Sequence, residues 1–267
     1  MVLVATEAAV VTVLRIESLT KSFGGLTAVA EFSLELGERD IQGIIGPNGA
    51  GKTTAFNLIT GVYPPDRGRI LLQDRELTRL PADAIARAGI ARTFQNIRLF
   101  AQMSVLDNIA MALHARAGYG LWAATFRTRN FRLREAALLA ESLDHLARFG
   151  LADRRHELAG SLPYGEQRRL EIARALATRP RVLLLDEPAA GMNPREVEAL
   201  IGLIRQIHRD FPLAILLIEH QLPVVMELCG QVQVLDFGQT IAAGAPVDVV
   251  RDPRVIEAYL GEEEAPA

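Results

Sequence analysis

Polar and apolar residues alternate over Thr12 to Leu19 and again over Glu31 to Leu36, as they do in half-buried strands. Ile41-Gln-Gly-Ile-Ile45 is a short apolar strand that runs straight into a glycine-rich turn. Lys52 to Thr60 follows as a helix stopped by Gly61, with Pro64 and Pro65 beyond, and Arg69 to Gln73 reads as a further strand. From Ser104 to about Phe149 the period becomes helical, opened by the capping-box-like Ser104-Val-Leu-Asp107. Leucines and alanines keep helical spacing from Leu133 to Phe149, where Gly150 ends the run. Gly118 to Asn130, rich in aromatics and arginine, has no clear period and reads either as a partner-facing insertion or as a poorly ordered loop.

The last third returns to strands and helices in turn. Arg181 to Leu185 is almost continuously apolar, as a strand covered on both faces requires. Asn193 and Pro194 supply a cap and a favoured first helical residue, and Glu196 is placed to complete the box. That helix runs to about Asp210, followed by a strand at Ala214 to Ile218, a helix to Cys229 and a strand at Val232 to Leu235. Strand, helix and strand in this order predict an α/β fold with a mostly parallel sheet and an inserted helical stretch.

Composition changes this picture little. The 267 residues are 49% hydrophobic and 23% charged, the balance of an ordinary folded chain. A formal net charge of -3 gives no electrostatic reason to expect nucleic-acid binding. Cys229 is the sole cysteine, so a disulfide framework is excluded and the chain fits a reducing compartment. Val2 to Leu14 is largely apolar, but it contains Glu7, lacks a basic leader and is too short to span a bilayer. It reads as a frayed leader into the first strand, and any role at a membrane must come from docking onto a membrane partner.

Chemistry enters at Gly46-Pro-Asn-Gly-Ala-Gly-Lys-Thr53, which follows a strand and opens a helix. Glycines there let successive backbone N–H groups converge on phosphate oxygens, and the helix N-terminus adds its positive end. Lys52 is placed for the β and γ phosphates, and the Thr53 hydroxyl for Mg²⁺. The second element is Val182-Leu-Leu-Leu-Asp186-Glu187-Pro188, a buried strand ending in two acids. Carboxylates beside an apolar core need a partner. Asp186 as a Mg²⁺ contact, with Glu187 beyond it accepting a proton from a water, would supply the reason.

With Leu162-Pro-Tyr-Gly-Glu-Gln-Arg-Arg169 between those two motifs, the chain resembles the nucleotide-binding subunit of an ABC transporter from about Leu14 to Gly261. The resemblance implies an ABC ATPase cassette over residues 12–261: a P-loop core at 12–95 and 161–240, with an antiparallel β subdomain, and a helical subdomain at 96–160. Residues 1–11 and 262–267 would be tails. It further implies ATP and Mg²⁺, bound by Gly46, Pro47, Asn48, Gly49, Ala50, Gly51, Lys52, Thr53 and Thr54. Phe23, in Lys21-Ser-Phe-Gly24, falls where an aromatic stacks on adenine. Gln95, in Arg92-Thr-Phe-Gln95, falls at the Q-loop glutamine, a metal contact and catalytic residue; His220, in Leu217-Ile-Glu-His220, falls at the switch histidine. Taken singly, such residues are ordinary strand-end or core residues, and only their joint order gives them these roles.

In this family two cassettes close head to tail, so Tyr164, Gly165 and Glu166 would face the partner's ATP from the start of a helix of about fourteen residues. The chain departs from the usual signature. Pro163 stands where a serine hydroxyl is usual, Tyr164 replaces glycine and Glu166 replaces glutamine. Asn193 stands where the loop after the second motif normally ends in aspartate. These departures, with Arg-Thr-Phe-Gln-Asn96 and Val255-Ile-Glu-Ala-Tyr-Leu-Gly261, resemble one ATPase subunit of branched-chain amino-acid importers. Close look-alikes are the ATPases of urea or amide importers and of lipopolysaccharide export. The implied partners are membrane permease subunits and a second ATPase or a second copy of itself. A periplasmic binding protein would act indirectly, and the chain would sit peripherally on the cytoplasmic face of the membrane. A soluble ABC ATPase, or a weakly hydrolysing regulatory subunit, is the contrasting reading.

Overall fold

The computed structural model describes residues 11–114 and 129–263, so most of the aperiodic stretch Gly118–Asn130 lies outside the described residues. Strands β1 (Thr12–Phe23) and β2 (Leu26–Gly37) form a long antiparallel hairpin. Strand β3 (Ile41–Ile45) leads into α1 (Lys52–Ile59), and β4 (Arg67–Leu72) and β5 (Arg75–Glu76) join the hairpin in a sheet of order β2-β1-β4-β5. All its pairings are antiparallel. The alternation predicts this sheet's buried face well, since Leu14, Ile16 and Leu19 are sequestered, although β1 continues four residues past Leu19.

Next come α2 (Ala82–Ala88), β6 (Ile90–Arg92), α3 (Val105–His114), α4 (Arg129–Arg148) and α5 (Tyr164–Ala177). Strand β7 (Val182–Asp186) precedes α6 (Pro194–Asp210), β8 (Ala214–Ile218), α7 (Leu222–Leu228) and β9 (Gln231–Asp236). Strand β10 (Gln239–Gly244), α8 (Pro246–Val249) and α9 (Pro253–Glu263) follow. The second sheet has the order β10-β9-β3-β8-β7-β6, parallel except for the β9–β10 hairpin.

Strands β7 and β8 show why an unbroken apolar run marks a central strand. Val182, Leu184, Ala214, Leu216 and Ile218 enter one core layer, shared with the antiparallel sheet and α1. Leu183, Leu185, Ile215 and Leu217 enter the other, shared with α3, α5, α6 and α7. Each side chain alternates across the sheet and both faces are covered, so positions 182–185 and 214–218 are all apolar, and only Asp186 at the end of β7 is polar. Helices α3, α4 and α5 pack on one another, and α5 also reaches β6.

The caps follow their sequence cues. Ser104 Oγ accepts from the Asp107 N–H at 3.0 Å at the start of α3. At α6, Asn193 Oδ1 accepts from the N–H groups of Arg195 and Glu196, both at 3.1 Å, and Glu196 Oε2 accepts from the Asn193 N–H at 2.9 Å. Gly61 and Gly150 take the positive φ angles, 70° and 66°, that stop the helices before them. Because β3, β7 and β8 are parallel neighbours, their carboxyl ends bring the glycine-rich turn, Asp186-Glu187 and His220 to one edge of the sheet. Crevices at such edges are where open α/β sheets bind ligands.

Candidate active site

The turn after β3 is shaped by two glycines, Gly46 and Gly51, that no other residue could replace without a shift. At Gly46 (φ 144°) a Cβ would lie 2.0 Å from the Leu235 carbonyl oxygen, and at Gly51 (φ 98°) 2.3 Å from that of Ala28. Gly51 is the N-cap of α1, so the unpaired N–H groups of the first turn point out of this loop. Lys52 is almost fully buried, and its ammonium donates to the carbonyls of Gly46 and Pro47, each at 2.7 Å. Thr53 and Thr54 follow in the same turn. A close-fitting glycine backbone, a helix N-terminus and a buried cation suit a polyphosphate.

Asp186 ends β7 with both oxygens near the sheet edge, but it is not isolated. Arg92, from β6, brings its Nη2 to within 2.6 Å of Asp186 Oδ2, while its Nη1 donates to Asn57 Oδ1 at 2.7 Å and Thr60 Oγ1 at 3.2 Å. The guanidinium also lies 5.5 Å from the Phe56 ring centroid and 5.0 Å from that of Phe94. Among the described residues no group of three or more His, Cys, Asp or Glu side chains forms a metal cage. A Mg²⁺ held by one carboxylate and one hydroxyl, with phosphate and water in the remaining places, would need no such cage.

One residue on, Glu187 has a φ of 45°, a conformation that costs a non-glycine residue about 1–2 kcal/mol. It is held by what surrounds it. Gln95 Nε2 donates to Glu187 Oε2 at 2.7 Å, and His220 Nε2 lies 2.7 Å from Oε1 and donates to it. The Glu187 N–H donates to the Ile218 carbonyl at 2.9 Å. Two side chains widely separated in the chain, Gln95 and His220, thus converge on the Glu187 carboxylate. Their spacing is that of a general base with two orienting donors.

Behind them lies Glu219, 2% exposed. Its Oε1 accepts from the Ala189 N–H at 2.8 Å and its Oε2 from those of His220 and Gln221 at 3.0 and 3.3 Å. Burial pushes this carboxyl above its ordinary range, against the three N–H groups that favour its charged form, and the Glu187 charge adds to the rise. Burial pushes the Cys229 thiol up to about 12, and the Glu219 charge adds to that rise.

Tyr164, Gly165 and Glu166 open α5 as expected, with Pro163 as the cap residue. Tyr164 Oη donates to the Ala190 carbonyl at 3.0 Å within the same chain, and Glu166 lies 3.5 Å from Arg154. Further along α5, Arg168 and Glu171 form a fully buried pair at 2.7 Å. Arg168 donates to the carbonyls of Phe94 and Gln95, and Glu171 accepts from the N–H groups of Phe94 and Arg98. The segment carrying Gln95 is therefore stitched to the helix that starts at Tyr164.

Phe23 ends β1 half-exposed, in edge-on contact with Tyr63 at 5.3 Å and 76°. The other arm of the same hairpin brings the Ala28 carbonyl against Gly51 of the glycine loop. Sequence reading missed Arg92, Tyr63, Arg168, Glu171 and Glu219. The clues were present in charges set inside apolar runs, as in Leu217-Ile-Glu-His220, where an uncompensated acid needs a local partner.

Comparison with known proteins agrees with this geometry. Residues 29–190 match the family model described as ABC transporter, and residues 239–265 match that of the branched-chain amino acid ATP-binding cassette transporter. The chain is 45% identical over 249 residues to the high-affinity branched-chain amino acid transport ATP-binding protein LivG of Escherichia coli K12, spanning 93% of this chain and 98% of that one. It is 36% identical over 248 residues to the lipopolysaccharide export system ATP-binding protein LptB of the same organism, spanning 92% and 96%. A crystal structure of the ADP conformation of MJ1267, an ATP-binding cassette of an ABC transporter, superposes with a TM-score of 0.79 at 30% identity, covering 94% of this chain and 99% of that one. The chain is a member of the ABC transporter family, an ATP-binding and ATP-hydrolysing cassette.

Proposed function

We propose that this cassette powers the uptake of branched-chain amino acids through a membrane permease, with Glu187 as the base that activates water. The observation that carries the hydrolytic reading is the convergence of Gln95 and His220 on Glu187, each at 2.7 Å. Residues 46–54 would hold the phosphates and Phe23 the adenine, with Tyr63 bracing the ring. Thr53, Asp186 and Gln95 would hold Mg²⁺, which neutralises phosphate charge when bound. Glu187 takes the proton of a water. The donors on its two oxygens orient the carboxylate toward that water.

Identity of 45% to LivG and the C-terminal match at 239–265 support amino-acid import over lipopolysaccharide export, where identity falls to 36%. The domain division proposed is a core at 12–95 and 161–240 and a helical subdomain at 96–160. Between them lies a mainly apolar cleft of about 400 Å³, lined by Ile85, Ile90, Phe94, Phe100, Met111 and Ala175 among others. It lies beside the Gln95 segment and suits a permease segment, so closure at the nucleotide could be felt at the membrane. No helix among the described residues is long and apolar enough to cross a membrane; the likeness to importer ATPases supports a peripheral place on the cytoplasmic face.

Two cassettes would close head to tail, with Tyr164, Gly165 and Glu166 meeting the partner's ATP. That partner is a second ATPase subunit or a second copy of this chain. The weakly hydrolysing alternative draws on Pro163 and on Tyr164 being turned to Ala190 of its own chain. Labelled leucine uptake in cells lacking the chain, with membrane co-purification of the tagged chain, tests the transporter reading. Lost uptake and a permease partner are expected. Unchanged uptake with no redundant system present contradicts it.

A further inference from the structure

We infer that Glu219 is a positioning residue that sets the separation of Glu187 and His220 by clamping the loop after β7 to the loop after β8. The inference rests on the reading above that these two residues form the hydrolytic centre.

Ala189 lies two residues past Glu187, and both polar groups of its backbone are gripped from the other loop. Its N–H donates to Glu219 Oε1 at 2.8 Å and its carbonyl accepts from Gln221 Nε2 at 3.0 Å. Glu219 Oε2 gathers the N–H groups of His220 and Gln221 on its own loop. One carboxylate thus satisfies three backbone donors from two loops, while Gln221 closes the clamp. Arg92 and Arg168 show that this chain pairs its other buried acids with arginine. Glu219 instead has only backbone donors among its hydrogen bonds, at a depth where an unneutralised carboxylate is costly.

What that cost maintains is local. Glu187 sits at a φ of 45° and would relax if its flanking loop were free. Its N–H is fixed to Ile218, its side chain to His220, and the next free backbone N–H along the loop to Glu219. An apolar residue at position 219 would orphan three N–H groups. Glutamine offers one acceptor oxygen, so its NH₂ must face donors on one of the two loops. The clamp then opens on one side, and the 2.7 Å contact between His220 and Glu187 loses its fixed spacing.

The test uses the chain assembled with its membrane partners. Glu219→Gln is expected to lower kcat by roughly tenfold to a hundredfold, the scale of a small misplacement of catalytic groups. KM for ATP should stay within about twofold and the melting temperature within a few degrees, since neither the glycine loop nor the core layers change. In a His220→Ala background, Glu219→Gln should cost nothing further, because the residue acts through that pair. Should Glu219→Gln fail to fold, Gln221→Ala opens the same clamp from its surface side and should lower kcat severalfold with KM unchanged. Wild-type kcat in the folded variant, a loss carried by KM, or a loss that adds to that of His220→Ala would overturn the inference. Glu187→Gln separates the two levels. If it turns over ATP normally, the hydrolytic reading fails; if it and His220→Ala lose turnover while the clamp variants keep the wild-type kcat, only the clamp fails.

Discussion

Arg92 places its guanidinium 2.6 Å from the Asp186 carboxylate, with the two side chains 5% and 4% exposed. A carboxylate at the end of a fully buried strand is therefore paired by the chain itself. The pair also ties β6 to β7 through side chains as well as through their ladder. Removing one partner of a buried pair leaves an uncompensated charge, so Arg92→Ala should destabilise the fold by about 3 kcal/mol. Arg92→Lys should recover only part of this, because an ammonium cannot reach Asp186, Asn57 and Thr60 with one rigid fork. Denaturant midpoints of the two variants check this.

Two glycines of the same loop should respond differently to alanine. Gly46→Ala puts a Cβ 2.0 Å from a backbone carbonyl, so both ATP affinity and melting temperature should fall sharply. Gly49, at φ 76°, has nothing within 4 Å of its would-be Cβ. Gly49→Ala should cost only the left-handed backbone penalty, roughly 1–2 kcal/mol. Thermal melting of both variants distinguishes steric from conformational cost.

The box at the start of α6 offers a calibrated change. Asn193→Ala removes the acceptor for two N–H groups and should cost about 1 kcal/mol, lowering the melting temperature by roughly 2–4 °C. Asn193→Asp keeps the acceptor and should melt at or above the wild-type temperature, since a negative charge suits a helix N-terminus.

His145 gives the fold an acid-side weakness. The ring is buried against Phe211, at 6.3 Å between centroids, and its Nδ1 has no hydrogen-bond partner among the described residues. Burial holds its pKa below 6.5; Glu141 and Asp144 oppose that shift, and Arg148 and Arg179 reinforce it. The unfolded chain therefore binds this proton more tightly than the native one. Stability is unaffected well above pH 6.5 and declines as pH falls through the unfolded value toward the depressed native one. Melting curves from pH 8 to pH 5.5 should show a decline that is smaller in His145→Phe.

Much of this was legible in the sequence where a local rule sufficed. The β3 limits, the box at Asn193 and the stops at Gly61 and Gly150 follow from turn, cap and apolar-run chemistry. Helix α2 was not legible because, among its seven residues, only Ile85 is buried, so no period marks it. Strand β6 is three residues long, too short to show alternation, and yet it delivers Arg92. The strand β10 and helices α8 and α9 were missed beyond the motif at Val255–Gly261, since each buries few side chains. In the site, the motif residues were legible from their order along the chain. The partners that hold them were not, because Arg168, Glu171 and Glu219 act through backbone groups that carry no side-chain pattern.

ATP turnover by the assembled complex carrying Glu187→Gln tests the central claim most directly. The account predicts a loss of roughly a hundredfold or more in kcat, the usual range for a lost general base, with ATP still bound. Turnover equal to wild type would contradict it.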